Sequence, residues 1–370
     1  MNVLMISKAC VFGAYQRKLE ELAARGVTLT ALVPPYWKDE RGVILLEKKF
    51  THGYRLIVAP MRFNGHFHIH YYPSLAQVLR EIHPDIVHID EEPWDFVTFH
   101  AVRGARAIGA RPLFFTWQNL LRFYPPPFSG FTRYSFRHCA HAIAGNADAQ
   151  HVLCAKGYRG EISIIPQFGA DPSIFQPRPE PGRKADADAP FVIGYIGRLI
   201  PEKGVDTLLR AVSGLDGRWE ARLLGAGPAR DGLQRLAAQL RLDGRVVFQA
   251  QVPSTQMAAY YQQLDLLVLP SRRALNWTEQ FGRVLVEAMA CGVPVIGSDC
   301  GEIPNVIGDA GLIFHANDAD ALRAHIRRVM SDADLRAQMS HRGRARVMEK
   351  FTMAGVAQRT VEVYEQMMRH

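Results

Sequence analysis

Cysteine is scarce. The five residues Cys10, Cys139, Cys154, Cys291 and Cys300 are odd in number and widely scattered, and no pair has metal-ligand spacing. This argues against a disulfide framework and favours a reducing compartment. Long apolar runs are missing too: none approaches the roughly 20 residues that span a bilayer. The opening Met1-Asn2-Val3-Leu4-Met5-Ile6 lacks the basic start and long apolar core of a secretory signal and reads as a β-strand. Together these absences set the expectation of a cytoplasmic protein. Positive charge is present only in mild excess. Residues 1–189 hold 22 Lys+Arg against 17 Asp+Glu, the rest 22 against 19, for a formal net charge of +8. Such a spread suits anionic substrates or an anionic membrane face. No nucleic-acid recognition motif accompanies it, so nucleic acid is not an expected partner.

The remaining composition is that of a globular chain, 48% hydrophobic and 22% charged over 370 residues, enough for two domains. Short apolar runs at Val3–Ile6, Leu29–Val33, Ile86–Ile89, Leu113–Thr116, Ala142–Gly145 and Ile162–Ile165 predict strands. Helical patterns at Tyr15–Arg25, Ser74–Ile82 and Trp94–Ile108 lie between them. That alternation means βαβ units and a parallel sheet. Residues 171–190, with Pro172, Pro177, Pro179, Pro181 and Pro190, read as a linker. A second series follows at Phe191–Gly197, Trp219–Gly225, Val246–Gln249, Asp265–Pro270, Val293–Ser298 and Gly311–Phe314, closed by an amphipathic helix at about Thr352–Met368. The expected class is α/β with two Rossmann-like domains, 1–170 and 191–350. Open α/β sheets bind ligands beyond the carboxyl ends of their strands, which places an active site between the domains.

Three loops of the second series carry the chemistry. Gly197-Arg198-Leu199-Ile200-Pro201-Glu202-Lys203-Gly204 joins a strand to a helix, and Arg198 and Lys203 flank the turn. Two cations at a strand end suit a phosphate or diphosphate clamp, though solvated surface charge is the bland alternative. Gly225-Ala226-Gly227-Pro228-Ala229-Arg230 opens like a dinucleotide fingerprint, but Arg230 stands where the third glycine belongs and Pro228 suits a helix N1 position. A tight turn into a helix is the favoured reading there. In the third loop a buried strand ends at Pro270 and a helix starts near Gly282. Its free amides and dipole favour an anion. Glu279 precedes that helix and Glu287 lies more than a turn inside it, a spacing that reaches opposite ends of a bound nucleotide sugar.

Glu279-x7-Glu287 resembles the E-x7-E signature of the retaining glycosyltransferases of family 4, which have the GT-B fold. Arg198 and Lys203 match that family's G-R-x-x-x-x-K-G segment. Ser298-Asp299-Cys300-Gly301-Glu302-Ile303-Pro304 is similar to its glycine loop, with Glu302 for the second glycine and Asn305 for the usual acid. The resemblance implies transfer of a UDP- or GDP-linked sugar to a hydroxyl of a glycan, lipid-linked or small-molecule acceptor. It implies that Arg198 and Lys203 neutralise the leaving diphosphate, and that the backbone of Phe281, Gly282, Arg283 and Val284 supplies donors. Glu287 would hold the ribose, Glu279 a sugar hydroxyl, and the backbone of Gln251 and Val252 the base. It also implies a last helix, 351–370, that crosses back to the first domain, and a reaction with no cofactor and no divalent metal. The Asp-x-Asp pairs Asp186/Asp188, Asp318/Asp320 and Asp332/Asp334 read as chance, the latter two as helix caps.

The first series is less typical. Gly13 is kept from the family's paired glycines, beside Ala14, with Lys8 a further phosphate or acceptor candidate. Asp90, Glu91 and Glu92 follow a strand and are candidates for acceptor hydroxyls. So are Gln118 and Asn119, where relatives often carry histidine. His66 in the triplet His66-x-His68-x-His70 is a candidate for sugar stacking rather than for metal. Residues 120–137, with Arg122, Arg133 and Arg137 among aromatics, suit a peripheral membrane contact, an acceptor groove or packing. Two rivals remain open: a synthase or phosphorylase of the same fold with a small phosphorylated acceptor, and a non-catalytic nucleotide-sugar-binding regulator.

Overall fold

Aliphatic runs of four to six residues become strands buried on both faces, as central parallel strands require. A computed structural model of the chain describes residues 1–39, 42–178, 189–250, 252 and 256–369. They form two compact units, Met1–Gly169 with Met353–His370, and Ala170–Thr352.

The first unit is a seven-stranded parallel sheet with flanking helices. Its strands are β1 Asn2–Ile6, β2 Thr28–Val33, β5 Arg55–Val58, β6 Ile86–Ile89, β7 Arg111–Thr116, β8 His141–Ala144 and β9 Glu161–Ile164. Their order is β5-β2-β1-β6-β7-β8-β9, so the winding reverses between β1 and β6, where Val3 faces both Leu29 and Ile86. A separate antiparallel hairpin pairs β3 Tyr36–Asp39 with β4 Gly42–Leu45. Helix Met353–Arg369 returns to this unit and packs on helix Arg17–Ala23. Its buried Tyr364 hydroxyl lies 2.6 Å from Nδ1 of buried His88, and the Met367 carbonyl accepts from Arg111.

The second unit is a six-stranded parallel sheet: β10 Phe191–Ile196, β11 Trp219–Leu224, β12 Val246–Gln249, β13 Leu266–Leu269, β14 Val295–Ser298 and β15 Leu312–Phe314. The order β12-β11-β10-β13-β14-β15 reverses between β10 and β13. The α/β class and the two parallel sheets expected from the sequence are present.

Several local readings change. The helix expected over Tyr15–Arg25 divides into a 3₁₀ turn, Gly13–Gln16, and helix Arg17–Ala23. Pro228 is not at N1: the helix begins at Arg230, capped by Ala229. Residues 170–178 belong to the second unit rather than to a separate linker, and 179–188, with Asp186 and Asp188, lie outside the described residues. Asp318 and Asp332 cap helices, accepting from the amides of Ala321 and Leu335 at 2.8 Å each. No helix among the described residues is long and apolar enough to cross a membrane.

Candidate functional site

Open α/β sheets bind ligands where the strand order reverses, and at the reversal between β10 and β13 the loops after those strands bring Lys203 and Glu279 together. Arg198 follows β10, exposed, with its carbonyl held by the Tyr195 hydroxyl at 2.7 Å. Lys203 closes the 3₁₀ turn Pro201–Lys203. The next residue, Gly204, has φ 66°, and a Cβ on it would lie 2.0 Å from the Pro270 carbonyl oxygen. Only glycine lets the two loops approach so closely. The result is contact between their side chains: Lys203 Nζ donates to Glu279 Oε2 at 2.6 Å. The buried Ser271 hydroxyl donates to the same oxygen at 2.8 Å, and Lys203 stands 5.0 Å from the Trp277 ring centroid. Glu279 is 7% exposed. A carboxylate so covered is fixed in place by its two donors.

The helix Arg283–Ala290 starts beside it. Gly282 caps the start in the left-handed region. The Leu285 amide donates to the Gly282 carbonyl at 2.8 Å, and the amides of a helix start point at whatever sits before them. Half-buried Phe281 is held edge-on against Phe351 at 5.8 Å, and Val284 is half-buried while Arg283 is exposed. Glu287, five residues in, accepts from the Tyr261 hydroxyl at 2.7 Å and pairs with Arg283 at 3.3 Å. The glycine loop packs on the Glu279 segment: Gly301 leaves room for the Glu279 carbonyl, which accepts from the Glu302 amide at 3.1 Å. Val252 is half-buried, and Gln251 lies outside the described residues. Arg230 serves the fold, donating to the carbonyls of Gly225 and Phe248 at 3.4 and 3.3 Å.

The crevice between β1 and β6 is filled differently. Ser7 follows β1 and donates to Asp90 Oδ2 at 2.7 Å; the other Asp90 oxygen is buried with no hydrogen-bond partner among the described residues. Lys8 pairs with Glu91. Burial pulls the Lys8 ammonium below its ordinary range, against the opposing pull of Asp95, Glu92 and Asp90. Glu92 accepts from the Thr116 hydroxyl at 2.5 Å and the Trp117 amide at 2.8 Å, yet burial raises its pKa to about 7. Asp95, also raised by burial, holds Nδ1 of His68 at 3.0 Å. That bond raises His68 in turn, while the ring stays 47% exposed. Gln118 follows β7 and accepts from Lys156 Nζ at 2.6 Å, with Asn119 next in the loop. Gly13 does not offer a free amide: its N–H donates to Glu47 at 2.8 Å.

The sequence singled out His66, which is exposed, with its backbone carbonyl accepting from His70 Nδ1. His70 is buried and pushed down to about 3 by desolvation. It is His68, unmarked in the sequence, that joins the acids. Ser271, Tyr261, Asp95 and Lys156 were missed as well. Among the described residues no group of three or more His, Cys, Asp or Glu is placed to hold a metal ion.

Residues 179–346 match the family model described as Glycosyl transferases group 1, and residues 16–168 the model described as Glycosyltransferase Family 4. The GDP-mannose-dependent alpha-(1-6)-phosphatidylinositol monomannoside mannosyltransferase of Mycolicibacterium smegmatis is 32% identical over 188 residues, 48% of this chain and 49% of that protein. The D-inositol 3-phosphate glycosyltransferase of Nocardia farcinica is 31% identical over 225 residues, 56% of this chain and 48% of that protein. The chain thus spans about half the length of the curated relatives it matches. The crystal structure of Anabaena HepE in complex with UDP has a TM-score of 0.76 to this chain at 18% identity, over 99% of this chain and 100% of that one, a likeness of fold.

Proposed function

The chain belongs to glycosyltransferase family 4, with the GT-B fold, and from that premise we propose that it is a retaining, metal-independent hexosyltransferase that moves a sugar from a UDP- or GDP-linked donor to a hydroxyl acceptor. The observation that carries this reading is the Lys203–Glu279–Ser271 cluster beside the helix start at Gly282. Arg198, Lys203 and the first-turn amides form an anion receptor for the diphosphate, so the protein's own cations stabilise the leaving group. Glu279, anchored by Lys203 and Ser271, accepts from a hydroxyl of the donor sugar. Glu287, oriented by Tyr261, accepts from the ribose diol. In front-face transfer the acceptor oxygen bonds to the anomeric carbon as the carbon–phosphate oxygen bond breaks. The departing phosphate takes the acceptor's proton, and no carboxylate nucleophile is needed. On the acceptor side, the exposed ring of His68 and buried Glu92 receive the reacting hydroxyl. The Mycolicibacterium relative, whose name specifies GDP-mannose, supports a guanine nucleotide among the donors to be tried first.

Proton NMR of the product tests the reading. A new anomeric linkage of the donor's own configuration, formed at full rate in chelator, is expected. Inversion, or activity that chelator abolishes and manganese restores, would overturn the corresponding part. Donor binding without any turnover would favour a regulatory protein instead.

A further inference from the structure

The aromatic and basic segment 120–137 builds a pocket. Helix Phe128–His138 presents Arg133 and Arg137 one turn apart, and the turn after helix Ala147–Ala155 presents Lys156 and Arg159. With Tyr124 and Phe136 they line a cavity of about 570 Å³. No carboxylate lines it, and none of the three exposed guanidiniums has a carboxylate partner among the described residues. Four cations facing one cavity repel one another unless an anion lies among them. Three of the four are arginines, whose planar fork matches phosphate oxygens.

Two of the residues lining the pocket, Lys156 and Tyr124, also contact residues beside the acids of the same unit. Lys156 Nζ donates to Gln118, at the end of β7, and lies 5.0 and 5.2 Å from the rings of Trp94 and Tyr124. Trp94 stacks on Tyr124 at 4.8 Å, and Tyr124 stands 5.6 Å from His68. The outer rim is apolar, with Phe123 77% and Leu121 51% exposed.

We propose that this pocket binds the phosphoryl group of the acceptor, a phosphate ester whose hydroxyl-bearing part reaches His68 and Glu92. As an acceptor subsite it rests on the transferase reading; as a phosphate site it stands on its own. The ester arrives either as a lipid headgroup, with Phe123 and Leu121 against the acyl region, or as a soluble phosphomonoester.

Two binding experiments on the full chain decide. Co-sedimentation with phosphatidylcholine vesicles containing phosphatidic acid measures the lipid source. Calorimetry with glycerol 3-phosphate measures the soluble one. Binding is expected in at least one, weakened roughly fivefold per arginine in Arg133→Gln/Arg137→Gln and unchanged in Arg198→Gln/Lys203→Gln. The arm that binds identifies the source. Binding of neither probe, equal binding by the Arg133/Arg137 variant, or equal binding to oleate vesicles of the same charge would overturn the proposal. Failure of the transferase reading has a separate signature: nucleotide sugars would neither bind nor turn over, while phosphate binding persisted.

Discussion

The two winding reversals share one topology and carry opposite chemistry. Beyond β10 and β13, Lys203 holds the buried carboxylate of Glu279 beside the helix start at Gly282, Glu287 is held by Tyr261, and Arg198 follows β10 exposed. Beyond β1 and β6, Asp90, Glu91, Glu92 and Asp95 crowd together around Lys8 and the exposed His68, with Lys18 and Lys156 near Asp90 and Glu92. A diphosphate gains from the first environment and is repelled by the second. A neutral hydroxyl gains from the second, where burial raises Asp90 and Asp95 and brings Glu92 up to about 7. This electrostatic contrast supports the proposed division between a donor and an acceptor half. It also explains why the acceptor's own phosphate is assigned to the separate cationic pocket around Arg133 and Arg137 rather than to the acids.

Glu279→Gln should have the largest effect. The side chain keeps its shape but loses the charge that Lys203 and Ser271 hold, and turnover should fall about 100- to 1,000-fold, read by single-turnover kinetics with donor and acceptor. Retained turnover would break the assignment of donor chemistry to the second unit.

Glu92→Gln sharpens the contrast through pH. Burial raises the folded-state pKa of Glu92 from 4.5 to about 7. Below 4.5 both folded and unfolded chains hold the proton and no difference arises. Through that window the unfolded chain ionises first, so the native protein loses stability as pH rises, levelling above the folded value at a cost of about 3 kcal/mol. The glutamine variant should lack this loss. Urea melts on either side of the window should show the variant gaining on the native protein as pH rises. Parallel curves would mean that Glu92 ionises freely.

His68→Asn removes the exposed ring nitrogen and should raise the acceptor KM about tenfold, the weight of one hydrogen bond, with donor affinity unchanged. A loss of donor affinity instead would erase the distinction between the halves. Arg230→Ala should be the mildest: about 1 kcal/mol of stability from its two carbonyl contacts, measured by thermal melt, and no change in nucleotide binding.

The second unit was readable in the sequence because its function depends on residues whose backbone role is also local. Gly204 and Gly282 mark turns, and the helix start between Glu279 and Glu287 follows from a strand ending at Pro270. The partners that fix those residues were not readable. Ser271 and Tyr261 reach Glu279 and Glu287 from 8 and 26 positions away, a pairing no periodicity encodes. In the first unit the acids after β6 were legible as a cluster at a strand end. Which of them pairs with Ser7, Lys8 or Thr116 depends on how β1, β6 and β7 lie side by side. The significance of His68 lies in Asp95, which falls inside the helical pattern Trp94–Ile108 expected from the sequence and, in the structure, just before the helix Phe96–Ala107. Strand Tyr36–Asp39 lacks an apolar run, whereas Gly42–Leu45 and Arg55–Val58 each carry three apolar residues in a row that were missed, and both strands are largely exposed rather than buried like the central ones.

Calorimetry of UDP- and GDP-sugars against the native protein and Arg198→Gln/Lys203→Gln tests the central assignment most directly. Binding of at least one nucleotide sugar, weakened about 100-fold or more in the double variant by the loss of two charge-assisted contacts, is the expected result. Binding of none, or equal binding by the variant, would contradict a donor site built on Lys203 and Glu279.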